Sequence, residues 1–222
     1  MMRLEALRAE VLSRAQQMCA HDLAHGSAGN LSARDRQSGL IAITPSGLEY
    51  ERLQVADIVL VDAEGQLVEG ARTPTSEWRM HISAYRNRPD IGGLVHTHPP
   101  FATLFAALEE EIPMVVDEAA YYLGGPIPVA DYAPPGTQDL ADSACRSLDQ
   151  GMAVLLARHG LLCAGQNLAE AYQVTLVAEF SARLAAQARS LGAHLEPLDP
   201  EHVTRLHAMF RSRQLEDEDS SG

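Results

Sequence analysis

With 222 residues, 46% hydrophobic and 21% charged, the chain can bury one substantial core and has the composition of an ordinary globular protein. A formal net charge of −13 argues against a nucleic-acid partner, which calls for a basic face, yet leaves room for a small anionic ligand that feels its local site. No apolar run approaches the roughly 18 residues of a membrane helix. No signal-peptide layout opens the chain, and Cys19, Cys145 and Cys163 are odd in number and widely spaced. The expectation is a cytoplasmic protein with free thiols and no membrane partner.

Apolar positions from Leu4 to Leu23 recur at helical spacing and predict a helix over residues 3–25, with His21 and His25 complementing its C-terminus. Gly26-Ser27-Ala28-Gly29-Asn30-Leu31-Ser32 reads as a small-residue loop entering a strand, and Leu40-Ile41-Ala42-Ile43-Thr44 as a strand broken by Pro45-Ser46-Gly47. Residues 58–61 and 66–68 form a hairpin about Gly65. Pro74-Thr75-Ser76-Glu77 opens a helix whose Trp78, Ile82 and Tyr85 line a buried stripe. A strand follows from Ile91 to His98, stopped by Pro99-Pro100, then a short helix over 101–108.

Residues 112–136 are rich in Pro and Gly, with Val115-Val116 and Ile127-Pro128-Val129 as candidate edge strands. Thr137 caps a helix to Leu148, and 153–157 is a buried strand ending at Arg158-His159-Gly160, with 161–164 as its hairpin partner. Asn167, with Glu170 three positions on, caps a long helix to Leu191, and Asp199-Pro200 begins a last one to about Phe210. No linker divides the chain. One α/β domain over 1–212 is expected, followed by an acidic, disordered tail over 213–222.

Two groupings carry chemistry. On a strand, His96 and His98 project to the same side, which suits two ligands of one divalent ion, with Thr97 turned into the core. His159, at a strand end before a glycine, is a third candidate ligand, and Glu77, in a first helical turn, a fourth; three imidazoles and a carboxylate suit Zn²⁺ or another first-row ion. His81, one turn from Glu77, belongs either behind the ligands or on the helix surface. The second grouping is three Ser/Thr/Gly/Asn clusters, at 26–30, 44–47 and 75–76, whose hydroxyls, backbone N–H groups and helix start suit a phosphate. All 17 basic residues are arginines, so no lysine can form a Schiff base.

In order and near spacing, the motifs at 26–32, 43–47, Thr75-Ser76-Glu77-Trp78, His96-Thr97-His98 and Arg158-His159-Gly160 resemble the class II aldolase/adducin family over about residues 3–190, most closely its L-fuculose-1-phosphate aldolase group. The resemblance implies a single-domain α/β/α sandwich with a central, mainly antiparallel sheet, and a C4 homotetramer with active sites between subunits. It implies zinc (Mn²⁺ or Co²⁺ as alternatives) on Glu77, His96, His98 and His159. Glu77 would be the acid/base, and Gly29, Asn30, Ser46, Gly47, Thr75 and Ser76 the substrate-phosphate loops. The implied activity is cleavage of a ketose 1-phosphate, such as L-fuculose 1-phosphate, to dihydroxyacetone phosphate and an aldehyde through a metal-stabilised enediolate.

The chain departs from that pattern after Ile112-Pro113, where the group's catalytic tyrosine is expected and Met114-Val115-Val116-Asp117-Glu118 stands instead. Asp117 or Glu118, or a nearby tyrosine, Tyr121 or Tyr122, is the candidate replacement. Pentulose-phosphate 4-epimerases, dehydratases and decarboxylases of the family remain alternatives, as does an adducin-like interaction module. Retention of the four ligands argues against the last.

Overall fold

A computed structural model describes residues 2–219, and side-chain surroundings to residue 213. The described residues form α1 (Glu5–Ala20), β1 (Asn30–Arg34), β2 (Ile41–Ile43), β3 (Val59–Val61), β4 (Leu67–Glu69), α2 (Trp78–Asn87), β5 (Gly93–Thr97), α3 (Pro100–Leu108), α4 (Asp117–Leu123), β6 (Val129–Ala130), α5 (Gln138–Leu148), β7 (Ala153–Leu156), β8 (Gly160–Gly165), α6 (Leu168–Ser190) and α7 (Pro200–Asp219). The strands make one sheet in the order β4-β3-β2-β1-β5-β8-β7-β6, antiparallel throughout except for the parallel β6–β7 pair at one edge.

Strand alternation divides the core in two. Ile41, Ile43, Leu94, Val154, Leu156 and Leu162 point to one face and pack with Met80, Ile82 and Tyr85 of α2 and Leu140, Ala144 and Leu148 of α5. Their neighbours point the other way: Leu31, Ala42, Leu60 and Val95 meet α1 and the start of α6, while Leu161 and Cys163 meet α3, α4, α6 and α7. The result is the expected α/β/α sandwich. Among the described residues no helix is long and apolar enough to cross a membrane.

Most local expectations hold. Thr137 Oγ1 accepts from Leu140 N at 3.2 Å, and Asn167 Oδ1 from Glu170 N at 2.9 Å, so both helices start where their caps place them. Glu170 answers Gln166 N rather than Asn167 N, which shifts the reciprocal half of the box by one residue. Three boundaries differ. α1 is shorter than 3–25. Val115-Val116 lies outside the strands, because the next seven residues, DEAAYYL, wind into α4, a helix too short for its periodicity to show. The last helix continues past Phe210 to Asp219, and the tail expectation for 220–222 falls outside the described residues.

Candidate metal centre and active site

His96 sits on β5 with its side chain on the α2/α5 face, paired across the ladder with Asn30 of β1 and Leu162 of β8. It is fully buried. Its Nδ1 donates to Leu161 O at 3.0 Å, which leaves the Nε2 lone pair pointing into the site. His98 follows one residue past the strand end. Its backbone N–H donates to Leu23 O at 3.2 Å, and the Thr97 hydroxyl, buried on the opposite face, donates to the same carbonyl. Pro100 takes the first position of α3, so the Phe101 and Ala102 N–H groups are the helix's orphans. Glu179 of α6 accepts from both, at 3.0 and 2.8 Å, anchoring the segment just beyond His98.

His159 arrives from the turn between β7 and β8, where Arg158 takes a left-handed conformation (φ 58°) and His159 N donates to Leu156 O. Gly160 must be glycine here: a Cβ would lie 2.5 Å from His98 Cδ2 and 2.6 Å from Thr97 O. The three rings close around one point, with centroids 4.8–5.0 Å apart and ligating nitrogens all within 4.8 Å of one another. Among the described residues this is the one group of three or more His, Cys, Asp or Glu side chains so placed.

Glu77, the residue before α2, brings its carboxylate to the same point: Oε2 is 3.0 Å from His96 Nε2 and Oε1 3.6 Å from His159 Nε2. Burial alone would raise this carboxyl. The neighbouring ring of His96, then the ring of His159 and the amide of Asn30, outweigh it and hold the group well below the ordinary carboxylate range. His98 and His159 are pushed down to about 3 and about 4, first by burial and then by His96, so both are neutral, as metal ligands must be.

The donor set fits a divalent cation. His98 Nε2 and His96 Nε2 lie 3.1 Å apart, both lone pairs aimed inward, and Glu77 Oε1 is buried without a hydrogen-bond partner. A tetrahedral ion with ligands at about 2.0 Å sets them about 3.3 Å apart, close to these separations. So many acceptors in one pocket repel unless something positive sits among them.

The three small-residue clusters adjoin this point. Thr44 Oγ1 accepts from Leu31 N at 3.2 Å, Thr44 O from Thr75 N at 3.0 Å, and Thr73 O from Ser46 N at 3.0 Å, which stitches the 44–47 turn between β1 and the start of α2. Tyr50 donates its buried hydroxyl to Gly29 O, and a Cβ on Gly29 would lie 2.7 Å from His96 O, so the 26–29 loop packs against β5. Ser46, Gly47 and Ser76 are exposed at this rim, while the Asn30 side chain is buried and turned to Glu77.

This arrangement can be set beside known proteins. The family described as class II aldolase and adducin N-terminal domain matches residues 9–186. The chain belongs to that family. It is 40% identical over 191 residues to a 5-deoxy-D-ribulose 1-phosphate aldolase of Bacillus thuringiensis serovar kurstaki, covering 86% of this chain and 89% of that one. It is also 40% identical over 174 residues to a 5-methylthioribulose-1-phosphate/5-deoxyribulose-1-phosphate aldolase of Rhodospirillum rubrum, covering 78% and 77%. A solved L-fuculose 1-phosphate aldolase superposes with a TM-score of 0.89 at 36% identity, covering 93% and 96%. The protein is thus an enzyme, a class II aldolase, and class II aldolases are metal-dependent.

Not every expected residue of this aldolase joins the cluster. Asp117, Glu118 and Tyr121 lie on α4, which packs on α7. Asp117 is exposed and accepts from His202 Nε2 at 2.9 Å, Glu118 is exposed, and Tyr121 is half-buried in an aromatic group with Tyr122 and Phe210. Sequence reasoning passed over Glu179 altogether. The proline pair left orphan donors, but which carboxylate answers them depends on how α6 crosses α3.

Proposed function

We propose that this aldolase holds one divalent ion, zinc before Mn²⁺ or Co²⁺, on His96, His98, His159 and Glu77, and cleaves a ketose 1-phosphate to dihydroxyacetone phosphate and an aldehyde. The observation carrying this reading is the convergence of three imidazoles and one buried carboxylate on a single point. Among substrates, a 5-deoxy- or 5-methylthiopentulose 1-phosphate ranks ahead of L-fuculose 1-phosphate, supported by the two relatives at 40% identity. The reading places the reaction in the cytoplasm.

Bound there, the ion supplies Lewis acidity for negative charge developing at the carbonyl end of the substrate. Gly29, Asn30, Ser46, Gly47, Thr75 and Ser76 form the rim that takes the phosphate, through hydroxyls and backbone N–H groups beside the start of α2. Glu77 moves the proton at the carbon that becomes the hydroxymethyl group of dihydroxyacetone phosphate. A second acid/base, drawn from Asp117, Glu118 and Tyr121 and presented by an adjoining copy in a homotetramer, moves the proton on the oxygen that becomes the aldehyde. With no lysine in the chain, no Schiff base competes with this route.

The test is a panel of ketose 1-phosphates assayed for dihydroxyacetone phosphate, with metal-stripped and zinc-restored protein side by side. Release that vanishes on stripping and returns with zinc is expected. An epimer, carbon dioxide or loss of water in its place would overturn the aldolase assignment, and failure to retain about one ion per chain would overturn the centre.

A further inference from the structure

Behind Glu77 runs a buried polar chain. Asn30 Nδ2 donates to Glu77 Oε2 at 2.9 Å. His81 Nε2 lies 2.6 Å from Asn30 Oδ1, and His81 Nδ1 lies 2.7 Å from Ser32 Oγ. Ser32 Oγ lies 2.9 Å from the Tyr85 hydroxyl, which also donates to Ser32 O at 3.0 Å. His81, Asn30, Ser32 and Tyr85 are all buried, and His81 has no exposed surface at all. Side chains from α2 and β1 interleave to build the chain, under the strand pair that carries His96.

We propose that His81 is a positioning residue: acting through Asn30, it pins Glu77 by Oε2 and leaves Oε1 as the oxygen that carries the proton. This rests on the assignment of Glu77 as acid/base. An anionic carboxylate accepts only, so the Asn30 amide must turn its NH₂ toward Glu77 and its oxygen toward His81. That oxygen needs a donor, so His81 must carry its proton on Nε2. Burial foremost, then His96, pushes His81 down to about 3, so the ring is neutral and its Nδ1 is an acceptor. Ser32 therefore donates to Nδ1, and the single Tyr85 proton, shared between Ser32 Oγ and Ser32 O, closes the far end. Every donor in the chain points toward Glu77, and reversing any one link brings two lone pairs together. With Oε2 held, Oε1 is the free, buried oxygen facing His159. Removing His81 lets the Asn30 amide turn over and Glu77 swing.

The experiment uses the full-length protein, with His81→Phe (no donor, similar volume), His81→Gln (donor kept) and His81→Phe in an Asn30→Ala background. At saturating zinc, His81→Phe is expected to lower kcat about 10- to 100-fold, with KM unchanged because the lost interaction serves the transition state. Zinc affinity, measured by chelator competition, falls by about tenfold in the same variant. His81→Gln restores most of both, and His81→Phe costs nothing further once Asn30 is alanine. On the wild-type protein, ¹⁵N NMR of the imidazole is expected to show the proton on Nε2. A proton on Nδ1, equal losses in the Phe and Gln variants, or an undiminished cost in the Asn30→Ala background each overturn the proposal. If His81→Phe does not fold, the NMR measurement and the Gln variant decide. If the wild type cleaves no ketose phosphate, the aldolase assignment fails while the tautomer and zinc-affinity measurements still judge the relay.

Discussion

At the ends of β5 and β7 each imidazole is held from several sides: His96 by its ladder and Leu161 O, His98 by Leu23 and the capped start of α3, His159 by a tight turn closed by Gly160. On α4, Asp117 meets one half-buried histidine and Tyr121 leans on Phe210. The first region is fixed by backbone pairing in the middle of a sheet, so its geometry exists before any ligand arrives. The second is a seven-residue helix held by side-chain packing on α7, and the jobs of its polar groups depend on what lies against them. On the proposed reading, metal chemistry belongs to the first region and discrimination among aldehydes to the second.

The largest expected effect breaks the first region outright. His96→Ala abolishes cleavage and drops zinc content well below one per chain, measured by metal analysis; an active, zinc-replete variant would remove the rigid centre from the mechanism. Next come Asp117→Asn, Glu118→Gln and Tyr121→Phe, which probe the second region. One of them lowers kcat by about 10²-fold or more with metal content unchanged, and mixing that variant with a His96→Ala variant restores part of the activity if the two residues meet across subunits. Three equal wild-type rates would take α4 out of the reaction.

Acid sharpens the contrast further. The folded chain holds His81 and His98 near 3 and His159 near 4, below their ordinary value of 6.5. Between those values the unfolded chain binds more protons, so stability is full above about pH 6.5 and declines as pH falls toward 3. Each such group contributes up to about 1.4 kcal/mol per pH unit in that window. Glu77, held low, adds a loss in the same direction below its ordinary range. Melting of metal-free protein between pH 7 and 4 checks this, and a flat profile would contradict it. The smallest effect belongs to Cys145→Ala, a half-buried thiol on α5 outside both regions, which leaves kcat unchanged and stability within about 1 kcal/mol by denaturant titration.

What was legible from residues alone follows the same division. The His-x-His alternation, the glycine after His159 and the caps at Thr137 and Asn167 are local signals, and local backbone rules set their outcome. α4 is illegible in the sequence because seven residues give too few turns for helical spacing to register among prolines and glycines. Asn30 read as part of a phosphate loop on composition, and its loop does adjoin the rim, but its side chain turns inward because Glu77 and His81 offer it partners from 47 and 51 residues away. The sequence alone places His81 either behind the ligands or on the helix surface. Its partners come from β1, and no spacing along one helix reveals a neighbour on another element.

Asn30 stands directly across the β1–β5 ladder from His96, and Leu162 stands across from His96 on β8. A slip of one residue in either pair would turn the opposing side chains to the wrong side of the sheet. On the proposed reading, ion capture also reports alignment: a chain in which β5 and β8 are out of step cannot bring His96 and His159 together, so a stoichiometric titration counts the correctly assembled fraction of a preparation.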